Sequence, residues 1–389
     1  MEYLSPAIAY FIRCFLTWIS SCCRKFRLNR NLKKFNKKSE EWLSKDRNFI
    51  PIIINYQLKT GFFKAKAHQK QYKIQIPNDK EEELQRLNFK LVKLEGQDLS
   101  NEFTERLCCS FGEKISESDA KELILRYVEL TADDFINDIK EGKLRFNKYL
   151  YGVLDVVSER NGCVLHLYES DYFTFKATTK IFNSISNNLI LKSISRDAHI
   201  NEFTPFLNSI GVGGFIIINR GDGDELVFGY RSKKSCQSGG YWHFSFDETF
   251  TRDDKIGEKG NPSLEGCVLR AIDEELGISG KEQDLCGVKS NMRLFDAGII
   301  KSSDNRFEFE VCGFARVNFS SKYTFDDFFM GYRFAKDAEI ETQTIDFINI
   351  RDKLDTFLCE KTLSPEAYHL AQHIKWLYDY KILNDIFEE

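Results

Sequence analysis

The sequence has little of what would place it in several large classes. Only 6 of its 389 residues are proline and 3 are methionine, whereas hydrophobic residues make up 42% and phenylalanine alone accounts for 34 positions. Such a composition gives no case for disorder and provides ample apolar surface for a large core. The net charge is only −4, so there is no global basic field and no nucleic acid duplex is expected as a partner. The 11 cysteines are scattered and never fall in a C-x-x-C spacing, which argues against a cysteine zinc knuckle or a redox dithiol. Reduced thiols in a cytosolic setting fit them best. From 48 to 205 there is no internal repeat, no low-complexity tract and no glycine-rich phosphate loop ending in Gly-Lys-Ser/Thr.

What is present divides the chain. Its length suits two domains, or two plus an appendage. Residues 1–40 read as an apolar helix followed by a basic segment. Leu4, Ile8, Phe11, Ile12, Phe15, Ile19 and Cys22 form one stripe, and eight basic residues lie between Arg24 and Lys38. The charge follows the apolar stretch, unlike a secretory signal, and Arg13 interrupts it. Two readings stay open: an anchor or surface helix at the inner face of a membrane with the rest in the cytoplasm, or a helix packed on the protein or a partner.

Residues 48–205 suggest an α+β domain without visible chemistry. Strands are expected at Phe49–Tyr56 and Cys163–Tyr168 and a helix over Ala120–Ile139, with charged loops or helix ends at 79–86 and 112–118. A new domain is expected over 206–350. It opens with strand, Gly/Asp turn and strand over Gly211–Arg231, continues with a strand pair at Leu294–Lys301 and Phe307–Phe319, and adds a strand at Glu339–Ile348. Residues 351–389 read as C-terminal helices, the second capped by Ser364 before Pro365.

Between the strand pairs lies a helix rich in acids. Asn261 and Pro262 suit a helix start, Gly277 suits a left-handed end, and the span expected is 262–276. Leu264, Val268, Ile272 and Leu276 share one stripe that should face the core, and Arg270 can reach Glu274 one turn on. Adjacent acids on an amphipathic helix ordinarily mark a solvated face. Here the series Arg270-Ala-Ile-Asp-Glu274-Glu275-Leu-Gly277-Ile278 resembles the second half of a Nudix box at every specified position but one, Ala271, where that family has Glu. The first half is absent, with Pro262 where the family has Glu. Upstream, Trp242-x-x-Ser245-x-x-Glu248 and an insertion over Thr249–Gly260 resemble a divergent Nudix-like group with an incomplete box.

That resemblance covers about residues 206–350 and implies a Nudix-type α/β/α sandwich with a mixed sheet, so that the chain as a whole is α+β. It implies Mg²⁺ (or Mn²⁺) held by Glu274, Glu275, Glu248 and Glu341, with Arg270 orienting Glu274, and Glu248, Arg270 and Glu275 as catalytic residues. It further implies a nucleotide or nucleoside-diphosphate-linked small molecule as ligand, hydrolysed at its diphosphate. Because the acid lost at 271 would share a face with Glu274 and Glu275, two outcomes remain. Either Glu248 or Asp247 replaces it, or the fold is a silent nucleotide-sensing or interaction module. A membrane segment fused to such a domain resembles effectors of bacterial cyclic-nucleotide anti-phage systems. Tyr241 and Trp242 could stack on a base or simply pack in the core, His243 could serve acid/base chemistry or structure, and Arg231, Lys233 and Lys234 could contact phosphate.

Overall fold

A computed structural model describes residues 30–31, 34, 49–55, 58–109, 116–142, 147–160, 162–185, 200, 203–232, 239–256, 260–301, 307–336 and 342–387. The apolar helix expected at 4–23 and most of the basic segment, together with Lys233, Lys234, Glu339 and Glu341, lie outside these residues. No helix among the described residues is long and apolar enough to cross a membrane.

The chain is α+β. Before residue 206 it runs β1 (Phe49–Ile54), β2 (Phe63–Lys73), α1 (Asn78–Arg86), β3 (Gln97–Asp98), α2 (Ser100–Cys109), α3 (Glu117–Lys140), β4 (Tyr149–Glu159), β5 (Gly162–Asp171) and α4 (Tyr172–Ile185). It continues with β6 (Ile210–Asn219), β7 (Asp224–Arg231), β8 (Trp242–His243), β9 (Phe246–Thr249), β10 (Lys255–Ile256), β11 (Asn261–Pro262), α5 (Leu264–Leu276) and α6 (Gly280–Leu285). The last elements are β12 (Met292–Lys301), β13 (Phe307–Arg316), α7 (Phe325–Arg333), β14 (Thr342–Asn349), α8 (Leu354–Glu360), α9 (Pro365–Asp379) and α10 (Ile382–Phe387).

The larger sheet has the order β1-β12-β13-β6-β7-β14, with β13 and β6 parallel and the other neighbours in that order antiparallel. Helix α5 packs on one face, where Leu264, Val268, Ile272 and Leu276 are buried. Helices α8, α9 and α10 pack on the other. The layering is therefore helix, mixed sheet, helix, but its second helical layer comes from residues 354–387, outside the 206–350 span expected to form the sandwich. Strand β1 belongs to this sheet through β12, although it lies far upstream in sequence. The smaller sheet, β3-β2-β5-β4, shares one continuous apolar cluster with the α5 face.

Three local expectations change. Residues 79–86 are helix, because Leu84 alone anchors a turn whose other faces are charged and solvated. Asn261 and Pro262 do not start α5; they pair with Ile256 and Lys255, which holds the backbone extended. Ser263 caps the helix instead, its hydroxyl accepting from the Gly266 amide at 3.1 Å. The second of the expected C-terminal helices, starting at Pro365, breaks into α9 and α10, with Lys381 at φ 59° between them.

The far end of α5 matches its sequence. Gly277 has φ 65°; its amide donates to the Asp273 carbonyl at 3.0 Å and the Ile278 amide donates to the Ile272 carbonyl at 3.4 Å. A Cβ there would lie 2.2 Å from the Gly331 carbonyl oxygen on α7, so two requirements fix this glycine.

Candidate functional site

Strands β6 and β7 pair only near their turn, from Ile216–Val227 to Asn219–Asp224. Beyond that point they diverge, and the segment 242–249 enters the fork, β8 pairing with β7 and β9 with β6. Ser245 stands where the strands part. Its hydroxyl accepts from the Ile216 amide at 2.8 Å and donates to the Val227 carbonyl, supplying both partners that the divergence removes. Trp242 anchors one end of the segment against Tyr230 and Phe357. Glu248 leaves the other end toward α5.

There it meets Arg270. The guanidinium Nη1 forms an ion pair with Glu248 Oε2 at 2.8 Å and donates to Glu274 Oε2 at 3.1 Å. It also grips Asp254 with two bonds, Nε to Oδ1 at 2.7 Å and Nη2 to Oδ2 at 3.0 Å, and reaches the Thr249 carbonyl at 3.0 Å. Such forked pairing is the strong form of a charge-assisted hydrogen bond. Burial works against the Arg270 charge, but Asp254 and Glu248 outweigh it and raise its pKa. Glu274 also accepts from Lys336 Nζ at 2.6 Å. Burial opposes the Glu274 charge, while Lys336 and Arg270 hold its carboxyl below the ordinary value.

Glu275 points elsewhere. It is 6% exposed, and its Oε1 accepts from the Asp247 backbone amide at 2.7 Å, tying α5 to β9. Ala271 is fully buried in the apolar cluster, so its methyl packs in the core and does not share the more open setting of Glu274. The structure thus brings Glu248, Arg270 and Glu274 together, puts Glu275 one residue away in a backbone-anchoring role, and leaves Glu341 outside the described residues. Asp254, from the insertion, completes the cluster. Sequence spacing gave no sign of it, since its approach depends on the β10–β11 hairpin.

As a cation site the cluster offers oxygen donors from two elements, which suits a hard ion such as Mg²⁺ that keeps waters and shares substrate phosphates. Glu248 and Glu274 are held here by protein cations. Among the described residues, the group of three donor atoms lying within 4.8 Å of one another is elsewhere in the fold.

The insertion also walls a cleft of about 430 Å³. Lys66 of β2, Tyr151 of β4 and Glu169 of β5 line one side, and Arg252, Lys255 and Asn261 the other. Arg252 pairs with Glu169 at 3.0 Å and lies over the Tyr149 ring. The smaller sheet thereby contributes to a cleft with three basic residues, two of which, Arg252 and Lys255, flank Asp254 in sequence.

The remaining candidates are mostly structural. Arg231 is buried and paired with Asp247 at 3.3 Å. His243 is buried with Nε2 2.9 Å from Glu366 Oε1. Trp242 is packed rather than presented as a platform.

No protein-family model matches the chain, and no curated protein does. Solved structures do. The NUDIX domain of Shewanella oneidensis NrtR, complexed with ADP ribose, is 12% identical over 43% of this chain and 85% of that one, with a TM-score of 0.28. A mutT/nudix family protein from Listeria innocua is 13% identical over 46% and 98%, with a TM-score of 0.29. A NUDIX-family hydrolase from Clostridium perfringens is 12% identical over 43% and 97%, with a TM-score of 0.24. Each is a distant likeness in fold.

Proposed function

We propose that this chain binds a nucleoside-diphosphate-linked small molecule in the cleft lined by Arg252 and Lys255 and hydrolyses its diphosphate with the help of Mg²⁺ or Mn²⁺. The observation that carries this reading is the convergence of Glu248 from β9 and Glu274 from α5 on one nitrogen of Arg270. A hydrolytic metal site needs carboxylates from at least two elements, and these two meet across the fork in the sheet. Glu248 and Glu274 are the residues to hold the ion, with Glu341 as a further donor. The bound ion would neutralise diphosphate charge and lower the pKa of an attacking water.

The chain's own side chains have distinct tasks in this reading. Arg270, fixed by Asp254, sets the orientation of Glu248 and Glu274 before any ligand arrives. Glu248 would accept a proton from water once its carboxylate is released from Arg270. Lys66, Arg252 and Lys255 give the cleft the positive charge that a diphosphate requires. Tyr151 adds a ring at its wall.

One observation favours a second reading, a nucleotide-sensing module without turnover. Arg270 and Lys336 already occupy the carboxylates that a metal would need, and Ala271 brings no further acid. The discriminating experiment incubates full-length protein with ADP-ribose and a panel of nucleoside diphosphate sugars, with Mg²⁺ or Mn²⁺, and follows product by chromatography. Hydrolysis that disappears in Glu248→Gln and Glu274→Gln supports the enzyme. Binding by calorimetry without turnover of any diphosphate supports the sensor and sinks the hydrolase.

A further inference from the structure

A second constellation lies on the opposite face of the sheet, under α9. His369 and His373 are four residues apart, so one helix face carries both toward β12. They meet Asp296. Its Oδ2 is 3.0 Å from His369 Nε2 and 2.8 Å from His373 Nδ1, and the three donor atoms lie within 4.8 Å of one another. All three side chains are 0% exposed. The second carboxylate oxygen of Asp296, Oδ1, is buried without a hydrogen-bond partner. A carboxylate taken wholly out of water and left with one oxygen unsatisfied is costly unless a positive charge sits beside it.

We propose that Asp296, His369 and His373 bind a divalent transition-metal ion of the zinc class, and that the ion pins α9 to the sheet. Two imidazole nitrogens select such an ion over Mg²⁺ or Ca²⁺, which take oxygen. Around a tetrahedral ion with bonds of about 2.0 to 2.2 Å, donors sit ~3.3 Å apart, so the observed separations need widen by only a few tenths of an ångström. Cys312 is the cross-strand partner of Asp296 and is fully buried with a free thiol, although it does not join the group of three within 4.8 Å. Complete burial marks the site as structural, with the ion taken up as the chain folds. This assignment does not depend on the carboxylate cluster, which lies on the other face and offers only oxygens.

The test uses untagged full-length protein, since a histidine tag would bind the same metals. Atomic emission should find about one equivalent of zinc after purification without chelator, and Co²⁺ added to dialysed protein should give visible d–d absorption that excess Mg²⁺ does not remove. X-ray absorption on the wild-type zinc protein should show two imidazoles in the shell, a readout that needs no mutant. In Asp296→Asn and His373→Gln, zinc affinity should fall on the order of 100-fold or more. Absence of both retained zinc and a Co²⁺ spectrum overturns the proposal. So does a shell without imidazole.

Discussion

The most informative perturbation is Arg270→Gln. Asp254, gripped by two of the guanidinium nitrogens, has a side chain only 1% exposed, while Arg270 itself is 23% exposed. Removing the cation from a buried pair ordinarily costs about 3 to 5 kcal/mol, because the remaining charge stays desolvated. Asp254 Oδ2 keeps its bond from the Thr251 amide at 2.8 Å, and part of the arginine is already solvated, so the expected loss lies at the lower end, ~3 kcal/mol. Asp254→Asn leaves Arg270 with Glu248 and Glu274 and should cost less, ~1 to 2 kcal/mol. With its partner already gone, the second substitution should add little, giving a coupling energy of roughly 1 to 2 kcal/mol in the double-mutant cycle. Urea unfolding of the four proteins measures this from shifts in midpoint at constant slope. The coupling should persist at about 1 M salt, where exposed pairs are screened. A loss below about 1 kcal/mol for Arg270→Gln, or strict additivity, would refute the argument that Asp254 and Arg270 form the cluster's fixed base.

Three further outcomes are expected. Asp171 is pushed up to about 6 from 3.8 chiefly by burial, against its bonds at the start of α4. The folded state thus keeps this proton to higher pH than the unfolded chain. Its stabilisation is complete below about 3.8 and is lost as pH rises through about 6. Asp171→Asn, which can still accept from the Thr174 amide, should therefore gain on wild type by ~3 kcal/mol between pH 4 and 7 in paired denaturation curves; parallel curves would count against it. Ser245→Ala should cost ~2 to 3 kcal/mol by leaving the Ile216 amide and Val227 carbonyl unmatched at the fork, and a neutral result would show that they find other partners. Gly277→Ala should lower stability by about 2 to 4 kcal/mol, through left-handed strain and collision with Gly331, and thermal melts within a degree of wild type would contradict it.

Much of the fold was legible because apolar periodicity reports burial directly. The β6–β7 hairpin, the β12–β13 pair, α3 and the core stripe of α5 all follow from it, and so does the Arg270–Glu274 contact one turn apart. What failed to show depends on distant partners. Helix α1 buries only Leu84, so its charges looked like a loop. Strand β1 joins the larger sheet through β12, some 240 positions on, and no local pattern encodes that choice. Asp254 and Lys336 reach Arg270 and Glu274 from an insertion and from the end of α7, at separations of 16 and 62 residues. The His369–His373 pair carried no reading in the sequence, because two histidines on a helix gain chemical meaning only when β12 supplies Asp296 beside them.

The segment 242–249 explains why Trp, Ser and Glu recur at intervals of three there, and also what mutants in the region can report. Trp242 fixes one end against α8, Ser245 bridges the parting strands, and Glu248 exits to Arg270. Two neighbouring residues face the other way or act through backbone. His243 meets Glu366 on α9, and the Asp247 amide holds Glu275 while its carboxylate meets Arg231. Changes at His243, Asp247 or Glu275 therefore disturb the junction of both helical layers with the sheet. Lost activity in those variants is expected whether or not any of them touches a substrate. Glu248 and Glu274 are different, since both carboxylates meet Arg270, Glu248 adding the amide of its neighbour Thr249 at 2.9 Å and Glu274 the exposed Lys336. Their glutamine variants keep shape and packing while removing the charge that a diphosphate-bound cation would need, so they isolate the chemical question from the structural one.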